Sequence, residues 1–140
     1  MSVVTDRRRS SRLRWYGGSS HRDEASLRID EPGRHGCWVL RAGCELDAAR
    51  QPQFSALLAR SIRSGARVVV LDLRGTDFLS IRVAALLGQA KSEAWGHGVE
   101  LRLLTGGVEV ERALELVGVR PLFRYYLSVD DATSSETGQG

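Results

Sequence analysis

The chain has 140 residues, 42% of them apolar, with 20 Lys and Arg against 17 Asp and Glu for a formal charge of +3. This size suits one domain that buries about two-thirds of its unfolded surface, and the apolar content excludes a wholly disordered chain. No run of about 18 apolar residues is present, which excludes a transmembrane helix, and the two cysteines are too few for a disulfide scaffold.

Residues 1–24 carry six arginines and three acids, whereas residues 25–140 carry fourteen bases and fourteen acids. The whole positive excess therefore sits in the head. That head holds Gly17-Gly18-Ser19-Ser20 and few aliphatics, so it reads as a disordered basic segment. It lacks the apolar stretch of a secretory signal, and the expected location is the cytoplasm. The charge-balanced remainder argues against a nucleic-acid-binding surface on the folded part. Leu27 to Asp30 reads as a short edge strand, followed by a turn at Glu31-Pro32-Gly33. Cys37 opens a second strand that runs to Ala42, and these two strands form an antiparallel hairpin at one sheet edge. A helical pattern starts at Asp47, with Phe54, Leu57, Leu58 and Ile62 on one face and Gly65 as its stop.

Val68-Val69-Val70-Leu71-Asp72-Leu73 is nearly continuous and β-branched, the pattern of a central strand buried on both faces. A second helix starts at Ser80 and carries Val83, Ala84, Leu86, Leu87, Ala90 and Ala94 on one broad side before Gly96-His97-Gly98 breaks it. Val99, Leu101, Leu103 and Leu104 make a further strand. Thr105-Gly106-Gly107 then turns into a third helix that ends at Gly118. Pro121-Leu122-Phe123 and Tyr125-Tyr126-Leu127 close a domain spanning residues 25–132, with 133–140 as a flexible tail. Alternation of this kind predicts an α/β fold with right-handed parallel crossovers.

Enzymatic and cofactor signals are missing. There is no GxGxxG, no GxxxxGK[ST] and no GxSxG. His21, His35 and His97 share no ligand spacing with each other or with the cysteines, so neither a metal nor another cofactor is expected. On a continuous strand Cys37 and Cys44 would lie about 20 Å apart on opposite sides, and they read as two reduced thiols. An anion at the start of the third helix would meet Glu109 and Glu111. Trp38, Phe54, Phe78, Trp95 and Phe123 are assigned to core packing.

The informative stretch runs from Asp72 through Arg74-Gly75-Thr76-Asp77-Phe78-Leu79-Ser80-Ile81-Arg82-Val83 to Leu87. A buried strand delivers the chain to a short loop, and Ser80 is of the residue type that caps a helix start. This stretch resembles the STAS family, the bacterial anti-sigma factor antagonists. Their pattern is a strand with Asp, then Phe, an apolar residue, Asp-Ser-Ser-Gly and an apolar helix. Cys44-Glu45-Leu46-Asp47 is similar to the family's Gly-Glu-Leu-Asp. The run from Val110 to Val119 followed by Leu122-Phe123 is similar to its third helix, and the likeness covers residues 26–132.

The resemblance implies a mixed sheet of four to five strands with three to four helices packed mainly on one face. It implies a non-enzymatic binding module that sequesters a kinase-type anti-sigma factor in a partner-switching system controlling transcription. The family's switch is phosphorylation of the first Ser in Asp-Ser-Ser-Gly, which puts charge on the docking face. Here Ser80 stands at the family's Asp, Ile81 at its phosphoacceptor Ser, Arg82 at the second Ser and Val83 at the Gly. Two readings follow. In one the switch is lost and Ile81 packs constitutively into the interface; in the other Ser80 is modified, one position early. The first is preferred, because one residue along a helix start turns the side chain by about 100°. The implied partner surface is Ser80, Ile81, Arg82 and Val83 with Asp47 and Ala48 beside it, and Phe78 behind as a core anchor. A scaffold or sensory subunit of the same family, binding a small molecule or a larger assembly, is the alternative.

Overall fold

The computed structural model describes residues 27–30 and 36–134. The expectations for the basic head, the turn at 31–33, His21, His35 and the last six residues lie outside the described residues. Strand β1 (Leu27–Asp30) runs antiparallel to β2 (Cys37–Ala42), with Leu27 opposite Ala42. Strands β3 (Val68–Leu73), β4 (Glu100–Thr105) and β5 (Arg124–Tyr125) follow in parallel, so the sheet order is the chain order. Helices α1 (Gln51–Ile62), α2 (Ile81–Gly96) and α3 (Val108–Leu116) are the crossovers. A one-turn 3-10 helix at Arg120–Leu122 precedes β5, and α4 (Val129–Ser134) ends the described fold.

Chain-order pairing has a geometric consequence. Right-handed crossovers that all step in one direction across a sheet place every crossover helix on one face. The main core accordingly lies between that face, with Leu40, Val69, Leu71, Leu101 and Leu103, and the buried stripes of the three helices. Phe54 and Leu58 come from α1, Val83 and Leu87 from α2, Val110 and Leu114 from α3. All six residues of β3 are buried, as its apolar run predicts. The expected mixed sheet with helices mainly on one face is what the fold shows.

The opposite face has a second, smaller core of Cys37, Val39, Val68, Val70 and Leu104, covered by Ala132 of α4. Arg102 points to this face from β4 and is fully buried. Its guanidinium donates to the Ala132 carbonyl at 2.6 Å and to the Glu100 carboxylate at 3.1 and 3.3 Å, and lies over the Tyr126 ring. A buried charge persists only when paired and hydrogen-bonded, and here the pairing ties α4 to the sheet. The helix therefore runs two residues past the boundary drawn at 132, because Thr133 is buried and its hydroxyl donates to the Val129 carbonyl.

Two sequence expectations are corrected here, the start of the first helix and the burial of two of the five aromatics. The helical pattern read from Asp47 becomes a turn over 48–50, and α1 starts at Gln51 beside Pro52, whose ring suits a first helical turn. Phe54 and Phe123 are in the core and Trp38 packs against it, but Phe78 is 47% and Trp95 81% exposed. Phe78 alternates outward on an extended segment whose Leu79 points in. Trp95 lies in the last turn of α2 beyond the buried Ala94. Cys37 and Cys44 form no disulfide; Cys37 joins the smaller core and Cys44 packs against the larger one, so they sit on opposite sides of the sheet.

Candidate functional site

Parallel strands bring all their C-terminal ends to one side. The loops after β2, β3 and β4 therefore meet there, and each carries a glycine within two residues of its strand: Gly43, Gly75 and Gly106. A Cβ on Gly75 would lie 3.1 Å from the Gly43 Cα. A Cβ on Gly106 would lie 3.2 Å from the Arg74 carbonyl oxygen. Only hydrogen fits at both seams without a shift of backbone.

Polar contacts stitch the first two loops together. The buried Thr76 hydroxyl donates to the Ala42 carbonyl at 2.9 Å. Leu46 N–H donates to the Phe78 carbonyl at 2.9 Å, and Ser80 N–H donates to the Leu46 carbonyl at 3.0 Å, which makes Leu46 and Leu79 a short parallel bridge. Asp47 bends the next turn, its Oδ1 accepting from Ala49 N–H at 3.1 Å and Arg50 N–H at 3.2 Å. The start of α2 is thus held against the loop before α1.

Ser80 caps α2 as expected: its Oγ accepts from Val83 N–H at 3.0 Å. Ile81, the first helical residue, is 49% exposed, and Arg82 is exposed beside it. Asp47 is half-buried and Ala48 exposed on the adjoining loop. Val83 is the exception among the expected partner contacts. It is fully buried in the main core, because the third residue of the helix turns inward. Phe78 takes its place on the surface. The structure therefore brings Asp47, Phe78, Ser80, Ile81 and Arg82 to one end of the sheet and removes Val83 from it.

A charged cluster underlies this end. Asp72, buried near the end of β3, accepts from Arg41 at 2.7 Å and from the Arg74 side chain at 2.9 Å on each oxygen. Burial pushes its carboxyl up, but the Arg74 side-chain and backbone hydrogen bonds and the two guanidinium charges outweigh this and hold it below the usual carboxylate range. The same pairing raises Arg74. Asp72 stood in the sequence inside an apolar run, a signal that it needs a partner, yet nothing local named Arg41. The glycine seams were legible in principle as glycines one or two residues past three strands. Among the described residues no group of three His, Cys, Asp or Glu could hold a metal ion, and no helix is long and apolar enough to cross a membrane.

The chain as a whole is similar to known proteins. The family model for the STAS domain matches residues 28–132. A curated relative, the anti-sigma-F factor antagonist RsfB of Mycobacterium tuberculosis, is 24% identical over 113 residues, covering 81% of this chain and 92% of the relative. Two solved structures share the fold. One is an anti-sigma factor antagonist from Mycobacterium paratuberculosis, with a TM-score of 0.64, 18% identity, and 76% of this chain and 88% of that chain covered. The other is the anti-sigma factor antagonist SpoIIAA in its unphosphorylated form, with a TM-score of 0.64, 18% identity, and 76% and 91% covered. With the family model spanning three-quarters of the sequence, a range that holds the sheet and its three crossover helices, this chain belongs to the STAS family.

Proposed function

We propose that the chain is an anti-sigma factor antagonist: a binding module that sequesters a kinase-type anti-sigma factor in a partner-switching system regulating transcription. It catalyses no reaction in this reading. The family and the name of the curated relative support it. The observation that carries it is the half-exposed Ile81 at the first position of α2, beside the half-exposed Phe78. Adjacent large apolar side chains left in water on a rigid helix start are what a protein partner covers.

The docking surface is Asp47, Phe78, Ser80, Ile81 and Arg82. Ile81 stands where the family resemblance implies the phosphoacceptor, and it has no hydroxyl, so binding does not depend on phosphorylation there. Ser80 already uses its oxygen to cap α2. Its hydroxyl therefore has a structural duty at the helix start, which favours the constitutive reading.

Titration calorimetry against a panel of purified anti-sigma factors with ATPase-type domains tests this. The wild-type chain is expected to bind one of them, and Ile81→Asp to weaken that binding about a hundredfold or more while the melting temperature holds. Undiminished affinity of Ile81→Asp overturns the surface. Mass spectrometry after incubation with that partner and ATP is expected to find Ser80 unmodified. Stoichiometric phosphate on Ser80 with loss of binding would replace the constitutive reading by a shifted switch.

A further inference from the structure

The loop after β4 lies outside the surface just described but at the same end of the sheet. Gly106 is packed against the backbone of Arg74, so residues 105–108 run directly beside the loop that leads to Ser80. At the first position of α3, Val108 is 70% exposed. The core takes Val110, Ala113 and Leu114 from this helix and has no use for Val108. Its apolar side chain nevertheless stands in water at the same end of the sheet as Phe78 and Ile81.

The neighbours of these apolar groups are acidic. Asp77 precedes Phe78, Glu109 follows Val108, and Glu45 lies on the first loop; all three are exposed. Arg74 is committed to Asp72 by two side-chain hydrogen bonds, and Arg82 and Arg112, the latter one helical turn beyond Val108 and Glu109, are the other exposed bases here. The combined end has an apolar centre and a border in which three exposed acids outnumber the two exposed bases not held by Asp72.

We propose that Val108 and Glu109 form a third part of the partner-docking surface, and that the partner meets them with an apolar residue flanked by Lys or Arg. This rests on the reading of residues 78–82 as the docking site. Charge of this kind speeds encounter and selects partners more than it adds affinity, so the two residues act differently: Val108 holds the complex and Glu109 steers it.

The probe is the purified anti-sigma factor that binds the wild-type full chain, measured by calorimetry and stopped-flow. Val108→Asp is expected to weaken binding about tenfold or more. It places a carboxylate at a helix start, where the helix dipole favours it, so folding is preserved. Val108→Ser, which removes the apolar group without adding charge, is expected to weaken binding about threefold or more. Glu109→Lys is expected to slow association about threefold or more and to reduce its salt dependence. Glu115→Lys, the same charge change at the far end of α3, should leave both within twofold. Undiminished affinity of both Val108 variants while Ile81→Asp abolishes binding overturns the third part and leaves the surface at 78–82 standing. Equal effects of Glu109→Lys and Glu115→Lys overturn the steering role. No binding by the wild-type chain to any member of the panel overturns both this inference and the function it rests on.

Discussion

Helices α2 and α3 leave the same end of the sheet, yet their first turns are secured by different means. α2 begins on Ser80, whose hydroxyl oxygen accepts one free helix N–H, and its first turn holds no acid. α3 begins on Gly107 with no side-chain cap and places Glu109 and Glu111 in its first turn. Glu111 is then fixed from outside: it accepts from the Thr105 hydroxyl at 2.7 Å and from Arg120 at 3.1 Å, and the Arg120 carbonyl accepts from the Tyr125 hydroxyl at 2.6 Å. The Thr105 bond, then Arg120, hold the Glu111 carboxyl below its ordinary range. One junction is therefore closed by a neutral contact within four residues, the other by charges reaching across three elements. The local closure leaves Ile81 and Arg82 without structural duties, which suits them to face a partner. At α3 the same freedom falls to Val108 and Glu109, because Glu111 carries the structural work.

Substitutions at the two junctions sharpen or break this contrast. The largest effect is expected at Val83, two residues from Ile81 but fully buried. Val83→Asp forces a carboxylate among Ala84 and Leu87 and should destabilise the fold by about 4 kcal/mol, read in urea or thermal unfolding. A stable, folded Val83→Asp protein would return that residue to the surface. Next come the two carboxylates with lowered values, Asp72 before α2 and Glu111 in α3. Each titrates lower in the folded chain than in the unfolded one. The stability it lends is complete above the ordinary carboxylate range and is lost as the pH falls through the folded value. Asp72 is buried and paired twice, so Asp72→Asn should cost about 1–2 kcal/mol at neutral pH and flatten the acid side of the stability curve. Glu111→Gln should do the same more weakly, because its ion pair is largely solvated. Thermal melts across the acid range check the order, and a steeper loss for Glu111→Gln would invert it.

Smaller effects concern the caps themselves. Ser80→Ala removes the only side-chain cap of α2 and should cost about 1 kcal/mol. Gly107 has an extended backbone and open space around its Cβ position, so Gly107→Ser can supply α3 with the cap it lacks. The gain should be a few tenths of a kcal/mol. Equal and opposite responses at the two sites would mean that the junctions are interchangeable, against the contrast drawn here.

Most of the architecture was legible in the residues. Periodicity placed the strands and the helices, since each element buries one side and repeats its apolar residues accordingly. The continuous run at β3 marks the central strand, and Ser80 marks the start of α2, where its oxygen accepts from Val83 N–H. Local chemistry was the limit. The two-residue β5 and the short α4 carry too few residues for a period, and α4 is held chiefly through Arg102, thirty residues away. Phe78 and Val83 exchanged places for a related reason. Hydrophobicity sent the phenylalanine inward, and only the family motif sent the valine outward, although its apolar spacing already put it on the buried side; the pairing of Leu46 with Leu79 turns Phe78 out, and the helical period turns Val83 in.

The sequence by itself determined the order of the elements, the central strand, the helix cap at Ser80 and the isoleucine that takes a hydroxyl's place at Ile81. These are matters of residue type and of spacing within one element, where nearest neighbours along the chain decide the outcome. Only the tertiary structure decided that Gly75 packs on Gly43 and Gly106 on the backbone of Arg74, that Asp72 is shared by Arg41 and Arg74, and that Val108 joins Phe78 and Ile81 at one end. Such groupings depend on the parallel register, which aligns the ends of strands far apart in the chain. No local period records which ends will be brought together.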